Sequence, residues 1–186
     1  MLKPAILYSE EIEKKSLGSM YSQEYFYYVG GLFHGPIHLR KEDDGGNHFE
    51  YAIVNKKDEL LGYFAYMIDY FCSVAYNFGL YSFDPGNVII GIDIMKEITS
   101  LINDYHINKI EFRCIEGNPV ERHYDSFCKK FNGNKITVRQ IARDQFGFYH
   151  DEFIYEIFPN GYTEHPKRKI KVDPNAPYLK QLYPYK

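Results

Sequence analysis

The chain has 186 residues, of which 45% are hydrophobic and 25% are charged, values typical of one globular domain with a substantial core. Its formal net charge of −3 gives no overall field that would attract nucleic acid or an anionic membrane, so neither is predicted as a partner. No apolar run approaches the ~20 residues of a transmembrane helix, and the first residues lack a signal-peptide pattern, so we expect a cytoplasmic protein.

Cysteine and histidine usage predicts no metal site. The three cysteines, Cys72, Cys114 and Cys128, are odd in number and have no C-x-x-C spacing, which argues against a disulfide framework or a structural zinc site. We expect all three to be core thiols. His34 and His38 are separated by a Gly-Pro pair, so a shared helix face is not expected.

The first 47 residues are predicted to hold two helices and a loop. Ser9 could cap a helix that runs through Lys15 and ends at Gly18, with acidic residues in its first turn. A second, aromatic-rich helix is predicted over residues 23–29. Residues 32–47 are rich in Gly and Pro and show little periodicity, which is typical of a loop.

Three strands are predicted next. Phe49, Tyr51 and Ile53 alternate with polar residues, and a turn over residues 55–59 leads to a second apolar strand over residues 60–68, so the two form an antiparallel hairpin. A third strand covers residues 73–83. Gly79 interrupts it, and a glycine within a strand favours a bulge or a close approach by another backbone or a ligand.

The second half alternates helices and strands. After the turn at residues 84–87, apolar residues at helical spacing predict an amphipathic helix of about four turns. Lys109–Ile115 alternates as a half-buried strand. Asn118 and Pro119 then begin a helix that runs to Phe131, and residues 135–142 and 148–158 form a closing hairpin.

This order predicts a single α/β domain over residues 1–158, with the helices and loop of residues 1–47 at its start. Residues 159–186 are predicted to be a Pro- and Tyr-rich tail with no core of its own. The tail contains a basic run, residues 167–171. That run either docks on an acidic partner or is solvated.

Over residues 49–158, the order of elements resembles the GNAT superfamily of acyl-CoA-dependent N-acyltransferases. The resemblance implies an α+β fold with a mixed, largely antiparallel sheet, a splayed central pair of parallel strands, and helices on both faces. It also implies acetyl-CoA as co-substrate, no metal, and an amine acceptor that is either a small molecule or a protein. Strand edges and many tyrosines are compatible with a homodimer.

The turn into the helix near Gly91 carries the first local feature of the resemblance. Amides at a helix N-terminus suit the pyrophosphate of coenzyme A. The amides predicted to do this belong to Val88, Ile89, Ile90, Gly91 and Ile92.

The family pattern at this turn is Arg or Gln, two residues, Gly, one residue, then Gly or Ala, and the chain matches it only through Gly91. In the first alignment, Gly91 takes the last position, Ile89 stands where the family has Gly, and Gly86 stands where it has Arg or Gln. In the second, Gly91 takes the middle position, which places Asp93 last and Val88 first. We favour the former, because a carboxylate would repel phosphates. The alternative is a turn that only reverses the chain.

The strand that contains Gly79 carries the second feature. In the family, a bulge there opens the sheet, and the backbone just beyond it pairs with the pantetheine arm as an added strand would. The resemblance gives this role to Tyr81, Ser82 and Phe83. The alternative is a glycine that relieves crowding among aromatic rings.

Asn118 and Tyr124 carry the third feature. In the family, the Asn contacts the cofactor arm and a Tyr seven residues later lies near the thioester sulfur; here Tyr124 is six residues after Asn118. The resemblance implies that Tyr124 protonates the leaving thiolate, as a phenol with an ordinary pKa of about 10 could do at neutral pH. The alternative is that Asn118 only caps the helix and Tyr124 only packs.

Asp69 and Glu111 are the candidate general bases, because an amine must lose a proton to attack a thioester. A competing hypothesis is a non-catalytic, GNAT-shaped binding module whose coenzyme A binding is weak or lost. It is motivated by the missing glycine and basic residue before Gly91.

Overall fold

The computed structural model describes residues 1–20, 27, 37–39 and 46–161. A 3-10 helix, Ala5–Tyr8, joins the first strand to the first α-helix. The strands and α-helices of these parts of the chain are β1 (Leu2–Pro4), α1 (Ser9–Ser19), β2 (His48–Val54), β3 (Leu60–Asp69), β4 (Val74–Ser82), α2 (Val88–Asn103), β5 (Lys109–Ile115), α3 (Glu121–Lys130), β6 (Asn134–Arg143) and β7 (Tyr149–Ile157).

The strands form one sheet in the order β1-β2-β3-β4-β5-β7-β6. β4 and β5 are parallel to each other, while the other neighbouring strands are antiparallel. β4 and β5 pair only at their first residues, Val74 with Lys109 and Ala75 with Ile110, and then separate. The predicted mixed sheet with a splayed central pair is confirmed.

The bulge in β4 lies at Asn77 and Phe78. Gly79 pairs regularly with Ala65, and the register shifts between that pair and Met67. Asn77 has a φ of 54°, in the left-handed region that Asn tolerates better than most residues. A bulge in this strand was expected, and the structure places it directly before Gly79, where Asn77 has the positive φ.

Helices cover both faces of the sheet, as predicted. Side chains alternate along the strands, so β2, β3 and β4 each contribute to two cores. On one face, α2 and α3 cover a core that includes Phe64, Tyr66, Phe78, Ile98, Phe112 and Tyr155. On the other face, Ile12 of α1 packs on a smaller core that includes Ala52, Val54, Tyr63 and Tyr81.

Two helix starts differ from the predictions. Tyr8, not Ser9, precedes α1, no side chain caps it, and Gly18 lies inside the helix. α3 begins at Glu121, later than the predicted start at Pro119. Asn118 still caps the preceding turn, because its Oδ1 accepts a hydrogen bond from the Val120 N–H at 3.0 Å.

The predicted helix over residues 23–29, most of the loop over residues 32–47 and the tail from residue 162 onward lie outside the described residues. The division into a domain and a tail therefore stays a prediction. In the described part of the chain, no helix is both long and apolar enough to span a membrane.

Two of the three cysteines occupy the core. Cys114 and Cys128 are buried, but Cys72 is exposed in the turn after β3, so the prediction of three core thiols was wrong for Cys72. Among the described residues, no group of three or more potential metal ligands is present. His38 is exposed, with its Nδ1 3.2 Å from Glu13 Oε1.

Gly133 is a site where a methyl group does not fit. It lies between α3 and β6, and a Cβ there would lie 2.2 Å from the Glu156 carbonyl oxygen. We expect Gly133→Ala to lower the free energy of unfolding by about 2–3 kcal/mol, measured by urea denaturation. Gly18→Ala is the control, because a Cβ at Gly18 would meet nothing within 4 Å and should stabilise α1 slightly. Equal effects of the two changes would contradict the prediction.

Candidate active site

A row of aromatic rings crosses the base of the opening between β4 and β5. Phe78 of β4 packs on Phe112 of β5 with ring centroids 4.9 Å apart. Tyr124 of α3 stacks on Phe112 at 5.1 Å, and Tyr155 of β7 meets Tyr124 edge-on at 5.6 Å. The row links the separated strands on the face covered by α2 and α3, and it places Tyr124 beside the opening.

The backbone of β4 turns Leu80 and Ser82 toward the opening. The Phe83 N–H donates to the Leu61 carbonyl at 2.8 Å, so Phe83 bonds to β3. Because bonding alternates along an antiparallel pair, Tyr81 also faces β3, while Leu80 and Ser82 face away from it. Ser82 thus has the orientation that an added strand requires. The predicted Tyr81 and Phe83 lack it, and Leu80 was missed because strand periodicity does not reveal which neighbour a backbone group bonds.

The side chain of Ser82 also suits a polar ligand. Its Oγ is buried and has no hydrogen-bond partner among the residues that the structure describes. A buried hydroxyl left unpaired costs free energy that a ligand can recover. Among the described residues of β4, Ser82 therefore combines a backbone and a side chain that both suit a polar ligand in the opening.

The backbone of β5 lines the other side of the opening. The Glu116 N–H donates to the Asp151 carbonyl at 2.9 Å, so alternation directs the backbone groups of Glu111, Arg113 and Ile115 toward β4. The Ile115 carbonyl accepts a hydrogen bond from the Asn118 N–H at 3.1 Å. Both sides of the opening thus present strand edges to an extended group.

The side chains of β5 that point away from α3 form a charged network. Glu111 Oε2 is 3.2 Å from Lys109 Nζ, and Glu111 Oε1 is 3.0 Å from the Arg113 guanidinium. Lys109 also contacts Glu156 at 2.5 Å, and Arg113 lies 3.7 Å from Glu152. The network has three carboxylates and two cations. Because both Glu111 oxygens already pair with cations, the geometry does not favour Glu111 as a general base.

Asp69 lies at the closed end of the β4–β5 pair. It ends β3 and pairs with Val74 at the start of β4, roughly 26 Å along the strand from Ser82 at ~3.3 Å per residue. Its Oδ1 accepts a hydrogen bond from the Cys72 N–H at 2.9 Å, which holds the pKa of the carboxyl below its ordinary value. Both features disfavour Asp69 as the base.

The Tyr124 phenol is held in its protonated form. Burial, with a smaller contribution from the nearby Cys114 thiol, raises the pKa of Tyr124 above its ordinary value. The phenol is therefore protonated throughout the neutral range. Among the described residues, the Tyr124 hydroxyl makes no hydrogen bond.

The Asn118 amide is engaged at both ends. Its Oδ1 accepts from Val120, and its Nδ2 donates to the Tyr27 carbonyl at 3.3 Å. Because Oδ1 can accept a second hydrogen bond and Nδ2 has a second N–H, contact with a cofactor arm would not require Asn118 to give up either partner.

A polar network that sequence reasoning missed fixes α3 to the last hairpin. The Tyr155 hydroxyl donates to Asp125 Oδ1 at 2.8 Å. Lys135 Nζ donates to Asp125 and Glu121 at 2.9 Å each. No periodicity connects these residues in the sequence, because the contacts depend on how α3 lies over β6 and β7.

The start of α2 is partly capped by its own side chains. The Asn87 Oδ1 accepts the Ile89 N–H at 3.0 Å, and the Asn87 carbonyl accepts the Ile90 N–H at 3.2 Å. Helical geometry directs the N–H groups of Gly91 and Ile92 to carbonyls of the preceding turn. Of the five predicted amides, only the one of Val88 is left to an incoming anion without displacing Asn87.

Gly91 and Asp93 lie on different sides of α2. Gly91 is exposed, and a Cβ there would meet nothing within 4 Å. Asp93 is 7% exposed, lies 3.5 Å from Lys96 and contacts the Met1 amino group. The Asp93 carboxylate therefore does not face the exposed first turn, which favours the alignment that ends the phosphate pattern at Gly91.

Comparisons with known proteins identify the fold. No protein-family model matches the sequence, and no curated protein matches it either. Two solved structures, named as a probable and a putative acetyltransferase, have TM-scores of 0.49 and 0.48 at 19% and 16% identity, and the chain spans 63% and 59% of their lengths.

Two other solved structures match most of the chain. A spermidine N-acetyltransferase from Vibrio cholerae, solved with CoA and spermine, has a TM-score of 0.63 at 14% identity, over 86% of this chain and 95% of that protein. A GCN5-related N-acetyltransferase from Brucella melitensis has a TM-score of 0.59 at 18% identity, over 85% of this chain and 75% of that protein. The sheet order, the splayed β4–β5 pair and these likenesses together show that the chain has the GNAT fold of the GCN5-related N-acetyltransferases.

Proposed function

We propose that the protein is an N-acetyltransferase that moves an acetyl group directly from acetyl-CoA to an amine acceptor. The observation that carries the proposal is the opening between β4 and β5, where the strands pair at two positions only and the row of rings at its base includes Tyr124. The likeness to solved acetyltransferases supports the same reaction class.

Acetyl-CoA fits the opening as an added strand. Leu80 and Ser82 turn backbone donors and acceptors toward it, as required for an extended pantetheine arm. The buried Ser82 hydroxyl supplies a further polar contact. The pyrophosphate would lie at the start of α2, where it competes with Asn87 for the Ile89 N–H. Because residues 83–95 contain no Lys or Arg, we expect the phosphates to be held mainly by backbone amides and the helix dipole.

The chemistry requires a proton donor and an oxyanion donor. The neutral amine attacks the thioester carbonyl, the C–N bond forms, and a backbone N–H of the β4 edge stabilises the oxyanion. The C–S bond then breaks, and the Tyr124 hydroxyl gives its proton to the departing thiolate. The amine loses its proton to water, and Tyr124 regains one from solvent. Most of the rate comes from holding the reactants together.

Charge on the opposite face of the sheet favours a cationic acceptor. An opening between two strands passes through the sheet, so a thioester held there is accessible from the face that carries Glu111, Glu152 and Glu156. These carboxylates outnumber Lys109 and Arg113 by one, and this excess of negative charge supports a positively charged amine as the acceptor. The Vibrio cholerae neighbour was solved with spermine, and we propose a related class of small polyamine, or a lysine side chain, for this protein.

Calorimetry with acetyl-CoA, followed by a thiol-release assay on an amine panel, tests the proposal. We expect saturable binding and release of coenzyme A with a diamine or a lysine-containing peptide, and weaker release with an amine that also carries a carboxylate. Glutathione, an amine-bearing thiol with a net negative charge, is the control ligand in the calorimetry. No binding at millimolar acetyl-CoA would overturn the proposal in favour of the non-catalytic module, and binding without transfer to any amine would contradict its enzymatic part.

A further inference from the structure

We infer that Glu97 is a positioning residue that holds α2 in register with the bulge of β4, an inference that rests on the proposed function. It fixes the distance between the start of α2, where the phosphates of acetyl-CoA would bind, and the opening, where the thioester would lie. Glu97 touches neither of these places itself.

Two tyrosine hydroxyls converge on one oxygen of Glu97. The Tyr66 hydroxyl donates to Glu97 Oε1 at 2.5 Å, and the Tyr51 hydroxyl donates to the same atom at 3.2 Å. Tyr66 is 1% exposed. Hydrogen bonds to an ionised acceptor are shorter and stronger than those between neutral groups. The pair therefore forms a directional attachment between α2 and the middle of the sheet.

Tyr66 is also the residue of β3 that faces the bulge. It lies between the pairs Ala65–Gly79 and Met67–Tyr76, where the register shifts. Its ring stacks on Phe78 with centroids 5.3 Å apart. Since Phe78 in turn packs on Phe112, one residue connects Glu97 to the bulge and to the aromatic row at the base of the opening.

Apart from Glu97, α2 has one further polar attachment among the described residues, the contact of Asp93 with the Met1 amino group, and the remainder of its interface is largely apolar. Ile90, Ile98 and Leu101 attach the helix through apolar contacts, which are non-directional. Glu97 lies nine residues after Val88, roughly 14 Å along the helix at 1.5 Å per residue. A helix free to slide or rotate about its axis would move its first turn relative to the opening.

Such movement matters for a ligand that binds at both places at once. Acetyl-CoA gains affinity from simultaneous engagement of its nucleotide and pantetheine halves only while the two sites keep the matching separation. Loosening the attachment at Glu97 should therefore weaken the whole cofactor more than either half.

The variants Tyr66→Phe and Glu97→Gln test this. Tyr63→Phe is a matched control, because Tyr63 also lies in β3 and donates to a carboxylate, Glu50 Oε1, at 2.7 Å, but it packs in the core on the α1 face of the sheet. We expect Tyr66→Phe and Glu97→Gln to weaken coenzyme A binding about tenfold, measured by calorimetry. Binding of adenosine 3′,5′-bisphosphate and of pantetheine should each change by less than about twofold, and Tyr63→Phe should leave coenzyme A binding unchanged.

Hydrogen exchange across the first turns of α2 gives a readout that needs no ligand. We expect faster exchange there in Tyr66→Phe than in Tyr63→Phe. If the unaltered protein binds coenzyme A and the two variants bind it equally well, the inference is overturned while the proposed function stands. Equal losses for coenzyme A and for both halves would show a merely structural role and also overturn it. If the unaltered protein does not bind coenzyme A, the proposed function fails and exchange alone decides whether Glu97 positions α2.

Discussion

Replacing Tyr124 by phenylalanine is expected to lower kcat for acetyl transfer by roughly 100-fold or more, the usual contribution of a general acid. The change removes the proton donor but keeps the ring that stacks on Phe112 at 5.1 Å. Because the hydroxyl makes no hydrogen bond among the described residues, the free energy of unfolding should be nearly unchanged. Steady-state kinetics and urea denaturation of the same preparations measure the two effects separately.

The pH dependence gives a second test of Tyr124. Burial raises the pKa of the phenol, so the acid form persists above the ordinary value of about 10. In the unaltered enzyme, kcat should therefore show no decline as pH rises to about 10. Tyr105→Phe, at an exposed tyrosine beyond the end of α2, should leave kcat unchanged. A Tyr124→Phe variant with the kcat of this control would contradict the assignment of Tyr124 as the general acid.

Introducing a carboxylate at Gly91 should change cofactor binding and stability in opposite directions. Gly91 is exposed on the first turn of α2, with open space beside it. In Gly91→Asp, the new charge would repel the phosphates of acetyl-CoA, and we expect affinity to fall on the order of 100-fold. The same charge complements the helix dipole, and the loss of a helical glycine adds to this effect, so the free energy of unfolding should rise by about 0.5–1 kcal/mol.

Gly91→Ala separates charge from shape at the same position. It should stabilise the protein by a similar amount and keep acetyl-CoA affinity within about threefold, because the added methyl group meets no neighbour within 4 Å. Calorimetry and urea denaturation measure both quantities. Equal affinities of the aspartate and alanine variants would show that the phosphates do not bind at the start of α2.

Local patterns in the sequence determined most of the elements. Alternation predicted β2 and β5, and helical spacing predicted α2 with its first residue at the end of a Pro-Gly-Asn turn, as observed. These signals depend on residues that are close in sequence, and each element must bury one face whatever its partners are. The resemblance that rested on the order of these elements led to the splayed sheet, which the structure confirms.

The tertiary structure decided the details of the candidate site. The sequence could not reveal that Leu80 and Ser82 face the opening, that Asn77 supplies the bulge, or that Asp69 lies at the closed end of the strand pair. Nor could it pair Glu97 with Tyr66, 31 residues away. Each of these facts depends on register between segments distant in the chain, which is set when whole strands and helices pack together and leaves no periodic trace in either segment alone.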